Sequence, residues 1–339
     1  RSVATIQMLV NLMLLRGHIG RPGAGICPVR GHSNVQGDRT MGIYEKPAPA
    51  LLDRLRDVFG FEPPREHGLD VVGAIEAMRD GKGKLFFAMG GNFATATPDT
   101  DATHAALRNC ELTVHVATKL NRSHLVHGRD ALILPCLGRT ETDMQAGGQQ
   151  SVTVEDSMSM VHLSAGINAP ASPELLSEPA IVARLAQATL GNRSDTPWRW
   201  LVEDYDRIRD QIARVFEDFH DFNTRVRVPG GFRLTNTAAL RQWKTATGKA
   251  NFFAHGLTED DPLPAPPDAR VFTLTTVRSH DQYNTTIYGL QDRYRGVHGE
   301  RKVLFAHADD IVALGFEAGE RVDIESLHRD GVRRIVRGF

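Results

Sequence analysis

The chain has 339 residues, 41% of them hydrophobic and 24% charged, which is enough for two or three globular domains. Its 40 basic and 41 acidic residues nearly balance, which argues against a protein that coats nucleic acid with a basic surface. The three cysteines follow no spacing typical of zinc, iron–sulfur or disulfide sites, and no apolar run is long enough to span a bilayer. We therefore expect a cytoplasmic protein without membrane insertion.

The first 50 residues combine a predicted helix with a long loop. Residues 3–16 place apolar side chains on every face of the helix, a pattern typical of a buried helix. Residues 17–50 are rich in glycine, proline, asparagine and arginine, and long loops of this kind tend to carry function. Because the chain starts within a helical pattern and stops within a strand-like run, we expect it to be part of a longer polypeptide.

An alternation of strands and helices follows. Strands are predicted at residues 84–89, 111–117 and 131–135, and helices at residues 68–80 and 98–108. This alternation predicts a parallel sheet, whose ligands bind at the carboxyl ends of its strands. Residues 139–170 are polar and predicted to be irregular. Helices are then predicted at residues 174–190 and from Thr196-Pro197 to about His220.

A proline-rich, acidic segment at residues 259–269 separates these elements from a β-rich region. That region has predicted strands at residues 270–277, 321–326 and 332–336, and a helix at residues 309–315. The fold class is therefore α/β. Residues 1–50 are predicted to be the tail of one α/β domain, 51–260 a Rossmann-like parallel-sheet domain with helical additions, and 261–339 the start of a β domain.

The glycine-rich segment, residues 20–37 (GRPGAGICPVRGHSNVQG), has the chemistry of an anion-binding loop. Glycines allow close backbone approach, arginines offer forked donors, and amide side chains can bond heterocycle edges. The segment lacks GxGxxG and does not follow a strand, so it does not match the dinucleotide-binding fingerprint. From residue chemistry alone, a structural glycine-rich loop explains it equally well.

Three further segments carry polar residues at places where ligands bind. MGGN at residues 89–92 ends the first predicted strand, and HVATKLNRS at residues 115–123 spans the end of the second. Phosphates and ribose bind at such strand ends, although ordinary turns and solvated loops look the same. TTVRSHDQYNT at residues 275–285 opens the β-rich region.

Taken together, these segments resemble the large subunit of molybdopterin-dependent oxidoreductases, in the formate-dehydrogenase-like branch. GHIGRPGAGICPVRGHSNVQGDRTMGI at residues 17–43 is similar to the family's segment at the metal site, including the PVRG step. MGGN, the strand end Leu134-Pro135, TTVRSHDQYNT and AHADDIVALGFEAGERVDIES follow in the family's order. The chain departs from the family at Gly91 and Phe93, where an acid and a proline are usual, and at His32, where glutamine is common.

The resemblance implies a cofactor, a substrate and a set of site residues. The cofactor would be bis-molybdopterin guanine dinucleotide with Mo or W, and 261–339 would begin a β-barrel-like pterin-dinucleotide-binding domain. A 4Fe-4S cluster is expected from the part of the family's chain that precedes this one, together with a small anionic substrate such as formate and an electron-transfer partner. Arg30, which would orient the anion, and His32 are the implied catalytic residues. The implied cofactor-binding residues are Arg21, Gly23, Gly25, Asn34, Gln36, Gly90, Gly91, Asn92, His115, Thr118, Lys119, Asn121, Arg278, Ser279, Gln282 and Asn284.

No metal ligand is assigned within this chain. Cys27 lies in the glycine-rich segment but is expected to be a non-ligand, and Cys110 and Cys136 are predicted to be core residues. Other readings stay open. The chain could belong to a non-catalytic family member with an electron-transfer or stress-related role, to an ordinary nucleotide-binding α/β protein, or to a structural domain of a complex.

Overall fold

A computed structural model describes residues 2–29, 31–32, 34–256, 270–280, 290–326 and 330–339. The chain divides into two compact units, Arg1–Phe253 and Ala254–Phe339. The predicted linker at residues 259–269 lies outside the described residues. In the described ranges, no helix combines the length and the apolar character that a bilayer crossing requires.

Four helices open the first unit: α1 (Ser2–Leu15), α2 (Val35–Thr40), α3 (Pro49–Phe59) and α4 (Val71–Arg79). Helix α1 forms as predicted, but its predicted burial is wrong for this chain, since Val3 and Leu15 are 72% and 73% exposed. Its buried residue is polar: Asn11 donates to the Phe253 carbonyl oxygen at 2.8 Å. Helices α2 and α3 shorten the predicted loop.

The predicted parallel sheet is confirmed. It contains β1 (Leu85–Met89), β2 (Leu112–Ala117) and β3 (Asp130–Pro135) in that order, and α5 (Phe93–Ala96) and α6 (Thr100–Arg108) connect the first two strands. Both pairings are parallel, with Leu112 opposite Leu85 on one side and Asp130 on the other. The central strand β2 is buried at residues 113–116, whereas β1 is partly buried and β3 is exposed along its length.

Successive residues of β1 point to opposite faces of the sheet, as strand geometry requires. Phe86 packs against a cluster that includes residues of α4 and α6, and Phe87 packs against a second cluster. Cys110 belongs to the first cluster and Cys136 to the second, so the prediction that both are core residues is confirmed. The first cluster contains Ile75, Met78, Ala94, Ala106, Leu107, Cys110 and Val126; the second contains Val116, Cys136 and Ile181.

The prediction that residues 139–170 are irregular is wrong. They contain the short pair β4 (Met144–Gln145) and β5 (Gly148–Gln149), followed by β6 (Val152–Glu155) and β7 (Met160–Ser164). Strand β7 also pairs with β8 (Phe232–Arg233), where Val161 lies opposite Phe232. These strands are short and one partner is distant in the sequence, so the local pattern contains no signal for them.

Four helices lie between β7 and β8: α7 (Glu178–Leu190), α8 (Trp198–Glu203), α9 (Tyr205–Val215) and α10 (Phe222–Val226). Helix α7 begins later than predicted, because the Ser177 side chain caps it by accepting from Ala180 N–H. The single helix predicted from Thr196-Pro197 to His220 is wrong. It breaks at Asp204, which has an extended backbone and caps α9 through its carboxylate. The N-cap of α8 is Pro197 instead of Thr196.

The second unit contains helix α11 (Ala308–Leu314) and an antiparallel pair, β9 (Ile324–Ser326) and β10 (Arg334–Val336). Helix α11 was predicted one residue later, at 309–315, and both strands were predicted with longer bounds. The strand predicted at residues 270–277 is wrong, because this exposed stretch pairs with no strand in the described part of the unit. The β-barrel-like arrangement stays a prediction.

Candidate functional site

The carboxyl end of the parallel sheet is the best-defined candidate site. Strand β1 ends at Met89, and the Gly90 turn, residues 90–92, follows. Gly90 and Gly91 have φ angles of 68° and 74°, a backbone region that glycine adopts without strain. A Cβ atom on either residue would meet no atom within 4 Å. A ligand can therefore approach the backbone of both glycines.

The Gly90 turn is held from the neighbouring strand. Gly90 N–H donates to the Val116 carbonyl oxygen at 2.8 Å, which extends the β1–β2 pairing by one residue. The Asn121 side chain donates to the Gly91 carbonyl oxygen at 2.7 Å. Two loops predicted to contact the same ligand are thus joined by direct hydrogen bonds.

Asn121 also begins a turn of 3-10 helix, Arg122–Leu125, which we call the Asn121 cap. Its Oδ1 accepts from Ser123 N–H, and its own N–H donates to His124 Nδ1 at 2.9 Å, which completes a reciprocal capping box. The buried Ser123 hydroxyl donates to Asn92 Oδ1 at 3.1 Å and accepts from Ala94 N–H at 3.0 Å. Every residue that links the cap to the turn therefore has a fixed partner.

Two contacting histidines, His115 and His124, lie close to this network, with their rings tilted by 46°. His115 in β2 is 4% exposed, and its ring centroid is 4.9 Å from that of His124. Neither Nε2 atom has a hydrogen-bond partner among the described residues. Burial, followed by the proximity of His124, lowers the pKa of His115. The structure thus places His115 inside the sheet, whereas Thr118 and Lys119 are exposed just past the end of β2.

The glycine-rich segment is divided between exposed and anchored residues. Arg21, Gly23 and Gly25 are exposed, and both glycines have positive φ with open space around the Cβ position. His32 is also exposed, and Arg30 lies outside the described residues. The exposed part offers the donors that the sequence suggests for an anion.

Asn34 and Gln36 contact a buried residue on the antiparallel sheet. Asn34 Oδ1 accepts from Glu155 N–H at 2.9 Å, and the Gln36 side chain hydrogen-bonds the Glu155 carboxyl group. Both residues were predicted as cofactor contacts. The structure gives each of them an interaction with Glu155.

In the second unit, the predicted residues Arg278 and Ser279 precede a charged cluster. Asp292, which is 5% exposed, accepts from His280 Nδ1 at 3.0 Å and from Arg295 at 2.8 Å. Arg295 also donates to the Arg278 carbonyl oxygen at 3.0 Å. Gln282 and Asn284 lie outside the described residues.

Sequence reasoning missed several residues that organise these places: Ser123, His124, Glu155, Asp292 and Arg295. The Asn121–His124 spacing is that of a capping box and could have indicated the cap. Glu155 gives no local signal, because its partner Asn34 lies 121 residues away. The carboxyl end of the sheet offers the accessible backbone of Gly90 and Gly91, the Thr118 hydroxyl and the Lys119 ammonium group. These groups suit phosphate or ribose oxygens.

The chain matches no protein-family model. It is 56% identical over 331 residues to an uncharacterized oxidoreductase of Mycobacterium tuberculosis strain H37Rv, a match that covers 97% of this chain and 42% of that protein. It is 53% identical over 329 residues to protein YdeP of Escherichia coli K12, covering 97% of this chain and 43% of that protein. The chain thus spans about two fifths of the length of these curated relatives.

A weaker likeness connects the chain to a putative formate dehydrogenase, YrhE, of Bacillus subtilis strain 168. The two are 31% identical over 118 residues, which cover 32% of this chain and 12% of that protein. Over nearly its whole length, therefore, this chain is related to proteins named as uncharacterized oxidoreductases, and over about a third of it to one named as a putative formate dehydrogenase.

Proposed function

We propose that this chain is part of a two-electron oxidoreductase that binds bis-molybdopterin guanine dinucleotide and oxidises a small anion such as formate. The names of the relatives support the oxidoreductase class, and the likeness to a putative formate dehydrogenase supports the choice of substrate. The residues of the glycine-rich segment and of the sheet's carboxyl edge support the choice of cofactor.

The observation that carries the proposal is the hydrogen bond from Asn121 to the Gly91 carbonyl oxygen. It joins two loops that the resemblance assigns to one ligand, at the end of a parallel sheet where nucleotides bind. Because Gly90 and Gly91 leave open space above their backbone, the phosphates and guanosine of the cofactor can approach closely. Thr118 and Lys119, which directly follow the neighbouring strand β2, are exposed.

The remaining predicted residues take roles that suit their chemistry. Arg21 and the exposed backbone of Gly23 and Gly25 would hold anionic oxygens of the cofactor. When bound, such a cofactor supplies a metal that accepts two electrons. Arg30 would orient the substrate anion by forked hydrogen bonds, and His32 is the second proposed catalytic residue. A 4Fe-4S cluster and a separate electron-transfer partner complete the proposal.

The cofactor is tested by metal analysis and pterin fluorescence on the full-length protein. Molybdenum or tungsten with an oxidised pterin product is expected, and their absence would favour an ordinary nucleotide-binding or structural protein. A Lys119→Gln variant should bind less cofactor, because it loses a cation at the phosphate-binding edge. Lys84→Gln, which removes an exposed cation just before β1 at the opposite end of the same sheet, is the matched control and should keep its cofactor.

Catalysis is tested separately from cofactor content. Arg30→Ala in the full-length protein should lower dye-linked formate oxidation by about a hundredfold or more while pterin content stays normal, since positioning of the substrate is lost. Full activity in this variant would contradict the role of Arg30. A protein that contains pterin but oxidises neither formate nor other small anions would instead be a non-catalytic relative.

A further inference from the structure

Glu155, the last residue of β6, is an unusual buried acid. It is 5% exposed, and its Oε2 atom has no hydrogen-bond partner in the described parts of the chain. Burial raises the pKa of its carboxyl group, and hydrogen bonds with Thr40, Gln36 and Ser159 oppose that rise. Asp156 is the neighbouring charge that adds to the rise. Carboxyl groups are rarely buried without a role, because their desolvation is costly.

The contacts of Glu155 lead to the end of the glycine-rich segment. Asn34 has a left-handed backbone, with φ of 66°, and occupies the N-cap position of α2. Its side chain does not cap its own helix. Instead, its Oδ1 accepts the backbone N–H of Glu155 at 2.9 Å. Asn34, the α2 residues Gln36 and Thr40, and Glu155 are therefore tied together at both backbone and side-chain level.

Gly37 completes this arrangement because it has no side chain. A Cβ atom at Gly37 would overlap the Asn34 amide group, Oδ1 first. Gly37 lies within α2, where alanine would normally be favoured by about 1 kcal/mol. The glycine therefore makes room for the hydrogen bond between Asn34 and Glu155.

We propose that Asn34, Gly37 and Glu155 form a latch that fixes the end of the glycine-rich segment on strand β6. In this proposal Asn34, Gly37 and Glu155 are positioning residues. The side-chain oxygen of Asn34 accepts from the backbone N–H of Glu155 instead of contacting the cofactor. The link to catalysis rests on the proposed function, because the segment held by the latch is the one that carries Arg21, Arg30 and His32. The latch itself requires only the contacts within the first unit.

Backbone hydrogen–deuterium exchange of the full-length protein tests the latch directly. In Asn34→Gly, exchange of the Glu155 amide and of the α2 amides should accelerate about fivefold or more, as expected for one lost hydrogen bond. Glycine keeps the left-handed backbone available, so this variant isolates the side-chain bond from backbone strain. If Asn34→Ala accelerates exchange but Asn34→Gly does not, backbone strain is the cause and the latch is refuted.

A second pair of variants gives an independent test. Gly37→Ala should accelerate the same amides despite its higher helix propensity, because the new methyl group displaces the Asn34 amide. Gly73→Ala in helix α4 is the matched control, since a Cβ there meets its nearest atom at 3.4 Å, an ordinary contact. Equal exchange in Gly37→Ala and the parent protein overturns the proposal. Glu155→Gln keeps the backbone N–H donor and the shape of the side chain. Exchange of the segment in this variant should therefore stay at the parental rate.

The two proposals fail in different ways. If the protein contains no pterin, the proposed function fails, but the exchange results still decide whether the latch exists. If the protein contains pterin, Asn34→Gly should release it faster than the parent protein, because the segment is less well held. Unchanged exchange with faster pterin release would instead make Asn34 a direct cofactor contact, and this outcome would overturn the latch.

Discussion

The first unit is built around apolar side chains, whereas the described part of the second unit is built around charges. The described part of residues 2–253 contains three buried apolar clusters, and the third includes the contacting rings of Phe219, Phe222 and Phe232. In the described residues after 254, the buried residue is Asp292, and no apolar side chain is buried. Ion pairs recur there instead, such as Arg333 with Glu325 and Arg334 with Asp330.

This difference indicates which interactions stabilise each unit. Burial of apolar surface contributes strongly and depends little on salt or pH. Exposed ion pairs contribute little and are screened by salt, and a two-stranded ribbon such as β9–β10 is marginal by itself. We therefore expect the first unit to be rigid across conditions and the second unit to depend on pH, salt and ligand. The following predictions test that contrast.

The largest effect is expected in the aromatic cluster of the first unit. Phe222 is 2% exposed, so Phe222→Ala should lower the free energy of unfolding by about 3–5 kcal/mol in urea denaturation. Val336→Ala in the second unit is the control, because that side chain is 52% exposed and should contribute less than about 0.5 kcal/mol. Similar losses from both variants would remove the contrast between the units.

Acid should affect the second unit through Asp292. Burial raises the pKa of Asp292, but hydrogen bonds from Arg295 and His280 outweigh it and lower the pKa to about 2. A depressed carboxyl pKa stabilises the folded state above the ordinary value of 3.8, and this stabilisation is lost as pH falls towards about 2. The protection factors of amides in residues 278–280 and 290–295, which correct for the intrinsic exchange rate, should therefore fall over that range in the parent protein. In Asp292→Asn, the acid-dependent change should disappear.

A smaller effect is expected at the Asn121 cap. Asn121→Ala removes both the acceptor for Ser123 N–H and the donor to the Gly91 carbonyl oxygen, and should lower the free energy of unfolding by about 1 kcal/mol. Asn121→Asp keeps the acceptor but loses the donor, so it should fall between the parent and the alanine variant in thermal unfolding. If Asn121→Asp lowers the unfolding temperature as much as Asn121→Ala, the hydrogen bond to the Gly91 carbonyl oxygen contributes most of the stability of the cap.

The smallest effect should come from the exposed pair Arg333–Glu325. Two parallel hydrogen bonds of 2.9 and 3.0 Å join them, yet the side chains are 70% and 46% exposed. Arg333→Ala should reduce the protection of β9–β10 amides slightly at low salt and not at all in about 1 M salt, because screening already removes the interaction. An equal effect at both salt concentrations would show that packing of the arginine stem matters more than charge.

The sequence alone determined the elements whose signals are local. The apolar runs of β1, β2 and β3, separated by a helical segment, predicted a parallel sheet and its ligand-binding edge. The burial of Cys110 and Cys136 was also predicted correctly, and the helix predicted at residues 309–315 differs from α11 by one residue at each end. The glycine-rich segment was identified by composition, but composition could not separate its exposed residues from its anchored ones.

Only the tertiary structure decided the contacts between distant residues. Val161 pairs with Phe232, Asn34 accepts from Glu155, and Asp204 divides a continuous helical pattern into two helices. Each depends on which surfaces meet after folding, which local periodicity does not record. The exposure of α1 shows the same limit, because an apolar helix is buried only where other residues cover it.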